Sequence, residues 1–158
     1  MVSGYDLDRP DPEQRRGLGL SAVGHGGIDL QHKRGTEVRL VPLEHQRGDA
    51  VVVFVGELFG KSVVTLHTLL EGRRERSYVV IYGHLDGSNP GLAPGAPAPQ
   101  GTLLGLVGDS GSEGRVHLHL EVRQVRDGVD PSTLRTPALA QPTVSIPCDP
   151  RNVLQLRQ

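Results

Sequence analysis

The sequence predicts an all-β protein, an antiparallel β-sheet or sandwich domain with long surface loops. Three observations carry that prediction. Aromatic residues make up only 3% of the 158 and Trp is absent, while Val and Leu abound, so the core must be aliphatic. The apolar runs are short, rich in β-branched residues and bounded by Gly, Pro or charge. No stretch shows a sustained helical period. The length suits one domain with a real core.

In chain order, residues 1–24 are rich in Pro, Gly and charge and read as an irregular lead-in. GHGGIDL (24–30) reads as a Gly-rich turn entering a short strand, since Gly26 and Gly27 disfavour a helix. Strands are then expected at VVVFVG (51–56), SVVTLH (62–67), SYVVIYGHL (77–85), TLLGLVG (102–108) and VHLHLEVR (116–123). LEGRRER (70–76) has the character of a charged hairpin tip. GSNPGLAPGAPAPQG (87–101) is expected to be a surface loop that packs no core. Beyond Asp130 the chain turns Pro-rich, with VLQL (153–156) as a last apolar segment able to dock. The expected organisation is therefore a lead-in over 1–24, a folded domain over 25–131 and a Pro-rich C-terminal tail over 132–158.

Composition also excludes functions. With 17 basic and 18 acidic residues the net charge is −1, so there is no basic footprint for nucleic acid or an anionic surface. No run approaches a membrane span, and the N-terminus lacks the apolar core of an export signal. One cysteine, Cys148, rules out an internal disulfide and any cysteine-rich zinc module.

Chemistry concentrates in the histidines. On the VHLHLEV strand, His117, His119 and Glu121 share one face while Val116, Leu118, Leu120 and Val122 take the core face. Alternate residues stand roughly 6.5–7 Å apart, which suits two imidazoles addressing one small site. A pair of solvated histidines on a half-exposed sheet fits the same pattern. His25 and Asp29 in GHGGIDL favour the first reading. With one histidine of the HLH pair they form a His₂Asp set with an open fourth position, the composition of a catalytic zinc site. His84, where a strand runs into the 87–101 loop, is placed to face a cleft.

Taken together, HGGIDL, RGTEV (34–38), YGHL, GTLLGLVGDSGS (101–112) and HLHLEV, in this order, resemble the lysostaphin-like (LytM-type) zinc endopeptidases that cut peptidoglycan peptides. The resemblance spans roughly residues 20–131. It implies an antiparallel β domain with a substrate groove walled by loops, and one zinc per chain held by His25, Asp29 and His119. It implies His117 as general base, with His84 orienting the water or stabilising the tetrahedral intermediate. It further implies peptidoglycan peptides as partner and an extracytoplasmic location. Glu121 is a candidate for orienting a ligand or a solvated glutamate. Tyr82, expected on the strand face of His84, is a candidate substrate contact or packing residue. His67 is expected to be structural or to line the cleft. Asp109 and Ser110 are expected to serve their turn. A non-catalytic LytM-type scaffold that activates another cell-wall hydrolase, or a β-rich binding module, are the competing readings. Stoichiometric zinc with chelator-sensitive cleavage separates them.

Overall fold

The computed structural model describes residues 26–154. Among them are nine strands, three short 3-10 turns and no α-helix; none is a helix long and apolar enough to cross a membrane. The strands are β1 (Ile28–Leu30), β2 (Glu37–Arg39), β3 (Ala50–Leu58), β4 (Gly60–Glu71), β5 (Arg74–Ser88), β6 (Pro97–Ala98), β7 (Leu103–Val107), β8 (Leu118–Val125) and β9 (Ser145–Cys148).

All pairings are antiparallel, and the main path runs β1-β8-β5-β4-β3-β6. The expected strands all form, but β4 and β5 extend beyond their apolar runs into a long hairpin that closes at Gly72 and Arg73, between paired Glu71 and Arg74. Ladder bonds continue where hydropathy alone predicted the strands to end.

β5 pairs β8 through Gly83 and then pairs β7 from Leu85 onward. The sheet therefore forks at residue 84. β7 turns away with β2 to cover one face, and β8 carries on with β1 along its outer edge. β9 continues that edge beyond β1, pairing with Val122–Val125.

Each face of the sheet buries its own core. On one face Val63, Tyr78, Val80, Tyr82, Leu118, Leu120 and Val122 meet Val38, Leu85, Leu104 and Val107. On the other, Val53, Phe54, Val64, Val79 and Ile81 meet Leu134, Leu139, Ala140 and Val144. Two expectations are corrected here. The 87–101 loop does contribute to a core, because β6 pairs with β3 and fully buries Ala98. The segment after 131 covers a sheet face, through the turns Pro131–Arg135 and Pro137–Ala140 and then β9. Apolar residues spaced between prolines bury themselves well without a helix.

Candidate active site

The site occupies the second face, at the fork between β7 and β8. Register builds it. Asp29 of β1 pairs directly with His119 of β8, so the two side chains leave the same face. Asp29 Oδ1 lies 3.0 Å from His119 Nδ1, and both residues are buried. Gly27 allows this approach, because a Cβ there would sit 2.4 Å from the Leu120 carbonyl oxygen.

The other nitrogen of His119, Nε2, lies 3.0 Å from Glu121 Oε2. Glu121 is buried rather than solvated, and its Oε1 accepts a 2.6 Å bond from Arg123 Nη1. Burial opposes the charge on both members. For His119 the bonds to Asp29 and Glu121 outweigh burial and raise its pKa to about 9. For Glu121, His119 and Arg123 outweigh it and lower the pKa to about 2. The ring of Phe59, in the turn between β3 and β4, stacks against His119 with centroids 4.5 Å apart.

His117 and His84 complete the cluster. Their ring centroids are 4.6 Å apart, and His84 lies 5.9 Å from His119. His117 Nδ1 is 2.9 Å from the Arg115 carbonyl oxygen, and His84 Nδ1 is 2.7 Å from that of Ser110. A carbonyl only accepts, so each Nδ1 carries a proton. The His117 Nε2 lies 3.7 Å from Asp29 Oδ1. Burial, then the charge near His119, lowers the His84 pKa to about 4, so His84 is neutral at neutral pH.

His84 reaches the site by departing from strand geometry. Its φ is +59°, at the residue where β5 exchanges β8 for β7. Ser110 holds that arrangement: its Oγ donates to the Leu85 carbonyl at 2.6 Å and accepts from Lys61 N at 2.9 Å. Gly60, at φ +61°, lets the β3–β4 turn pass against the Ser110 backbone. Arg34 of RGTEV ties the flanking loops, bonding Asp86 at 2.6 Å and Asp109 at 2.8 Å.

The structure thus brings together Asp29, His84, His117, His119 and Glu121. It separates Tyr82 and His67 from them. Tyr82 was expected on the face of His84, but it pairs with Leu120 and faces the first core, because the positive φ of His84 breaks the alternation. His67 pairs with Tyr78 on that same opposite face, held between Thr65 Oγ1 at 2.7 Å and Gln46 Oε1 at 2.6 Å. Burial lowers its pKa to about 4, so it lines no cleft and stays neutral. His25 lies outside the described residues. Sequence reading missed Phe59, Arg123 and the orienting role of Ser110. Of these, only Arg123 was signalled, two residues beyond Glu121 on the same strand face.

Among the described residues no group of three His, Cys, Asp or Glu side chains forms a metal cage by itself. The donor chemistry nevertheless fits zinc. A buried carboxylate oxygen faces a buried imidazole nitrogen at 3.0 Å. Two ligands of a tetrahedral zinc stand about 3.3 Å apart, from bonds of roughly 2.0–2.1 Å. The carboxylate on the far imidazole nitrogen is the partner that zinc-ligating histidines ordinarily have.

An antiparallel sheet bearing two imidazoles, each with Nδ1 on a backbone carbonyl, beside a carboxylate–imidazole pair defines a lysostaphin-like peptidase domain. Residues 23–131 match the model of peptidase family M23, and the chain belongs to that family. No curated protein sequence matches the chain. Among solved structures it is similar to the catalytic domain of the antimicrobial peptidase lysostaphin from Staphylococcus simulans, at 20% identity and a TM-score of 0.56, covering 95% of this chain and 87% of that one. It is also similar to a zinc-containing peptidase from Vibrio cholerae, at 25% identity and a TM-score of 0.55, covering 83% of this chain but 35% of that one. Against another structure of lysostaphin the identity is 22% and the TM-score 0.51, with 88% and 50% covered.

Proposed function

We propose that this chain is a zinc-dependent endopeptidase that hydrolyses peptide bonds of peptidoglycan, in the cross-bridge or stem peptide, outside the cytoplasmic membrane. The observation that carries the proposal is the face-to-face pair of Asp29 and His119, with His117 and His84 beside it, each committing Nδ1 to a backbone carbonyl. Membership in the M23 family and the likeness to a zinc-containing peptidase support it. The peptidoglycan substrate follows from the resemblance of the sequence motifs.

His25, Asp29 and His119 would hold the zinc. When bound, zinc polarises the scissile carbonyl and brings its water to a pKa of about 7. Glu121 fixes the ring of His119 by taking its Nε2–H. His117 would act as the general base. Its Nδ1–H is committed to Arg115 O, so Nε2 takes the proton of the attacking water, and the resulting imidazolium sits 3.7 Å from Asp29. The same nitrogen returns the proton to the leaving amine. His84, neutral with Nδ1–H committed to Ser110 O, can accept at Nε2 but has no donor there for an oxyanion. Its tautomer favours orienting the water.

The test is elemental analysis of the purified chain together with cleavage of purified peptidoglycan before and after chelation. One zinc per chain and cleavage that is lost on chelation and restored by zinc are expected. Cleavage that survives complete removal of metal would refute the mechanism.

A further inference from the structure

The pair at the site does not end at Glu121. Arg123, next on the same face of β8, is buried and spends three N–H groups in two directions. Nη1 donates to Glu121 Oε1 at 2.6 Å, Nε to Ser145 Oγ at 2.6 Å and Nη2 to the Ser145 carbonyl at 2.8 Å. Ser145 Oγ donates in turn to the Leu139 carbonyl, so it must accept from Arg123. Ser145 is fully buried, and its N–H is anchored to Gln141 O at 3.0 Å. A continuous buried line runs from the Pro137–Ala140 turn through Ser145, Arg123 and Glu121 to His119.

We propose that Arg123 and Ser145 are positioning residues, through which the C-terminal segment sets the ring orientation of His119 for its metal. The inference rests on the zinc reading above and adds residues to it. Ser145 lies beyond residues 23–131, the part that matches the family.

Stability alone gives Arg123 no reason to be there. Its β5 partner is Val79, in an aliphatic core where an apolar side chain would avoid the cost of burying a guanidinium. What the guanidinium supplies is direction. Its planar fork, held by both oxygens of Ser145, presents Nη1 to one oxygen of Glu121 and leaves the other for His119. Without that anchor the carboxylate can rotate, and the imidazole loses its fixed plane.

Cobalt(II) substituted for zinc in the purified chain provides the test, read as affinity by chelator competition and as the visible absorption band. Ser145→Ala and Arg123→Lys are expected to weaken cobalt binding about 10- to 100-fold and to shift the band. Leu134→Ala thins the same C-terminal cover without touching the line. It is expected to lower Tm while leaving affinity and band unchanged. Wild-type affinity and band in both Ser145→Ala and Arg123→Lys would overturn the proposal, as would an equal change in Leu134→Ala. Absence of any specific cobalt band in the wild-type chain would instead overturn the zinc reading itself.

Discussion

Alanine at position 27 would add one atom where the approach to β1 crosses β8. That atom would lie 2.4 Å from the Leu120 carbonyl oxygen and 3.1 Å from Glu121 Cα. Both neighbours are backbone in a strand paired on both edges, so neither can rotate away. Ordinary contact begins at 3.4 Å, so β1 must retreat by about 1 Å. Asp29, two residues on, retreats with it and leaves His119. A misplacement of about 1 Å at a catalytic constellation costs on the order of 100-fold in rate, or about 2.7 kcal/mol of barrier. Overpacking costs a further ~1–3 kcal/mol of stability. The assay is peptidoglycan cleavage and zinc affinity for Gly27→Ala, with urea unfolding of the same samples. Gly87→Ala is the control, because nothing lies within 4 Å of its Cβ, and it is expected to stay within ~0.5 kcal/mol of wild type. Wild-type rate and zinc affinity in Gly27→Ala would refute the claim that register at this crossing builds the site.

The division of labour on β8 predicts that His119→Ala loses zinc, whereas His117→Ala keeps it and loses about 10²–10⁴-fold in kcat; equal loss of metal in both would sink the assignment. Ser110→Ala removes the bonds to Leu85 and Lys61 that seat the carbonyl under His84. It should cost about 1–3 kcal/mol on urea unfolding and lower kcat more than it raises KM; a change in KM alone would contradict it. Burial holds the His67 pKa at about 4, below an unfolded value near 6.5. The unfolded chain therefore binds the extra proton below pH 6.5, and the stability due to this residue falls as pH drops toward 4, by about 3 kcal/mol. His67→Gln should lack that component, so the stability gap between wild type and variant, measured by urea unfolding, should be flat above pH 7 and shrink below it. A gap independent of pH would show that His67 titrates normally.

Period-two alternation made much of this legible in advance. The strands from Val51 to Val122 and the two faces of β8 follow from side-chain chemistry read locally, and so does the pairing of His117 and His119 with Glu121 on one side. Tyr82 and His67 mark where that reading ends. The alternation rule puts Tyr82 beside His84, and only the left-handed backbone at residue 84 undoes it. That conformation exists because β5 changes partners there, from β8 to β7, and a change of partner is a property of the sheet rather than of YGHL. The C-terminal segment is a similar case: its prolines read as a tail, while Leu134, Leu139 and Val144 close a core.

The class of fold, the histidine and carboxylate chemistry, and which β8 residues share a face were all readable from the chain of residues alone. These depend on residue type and on a repeat of two. Folding adds that Asp29 stands opposite His119, that Ser110 seats His84, and that Arg123 joins Glu121 to Ser145. Apart from Arg123 on Glu121, two positions away on one strand face, those contacts join residues 22 to 90 positions apart along the chain, brought together by strand register, which no local pattern encodes.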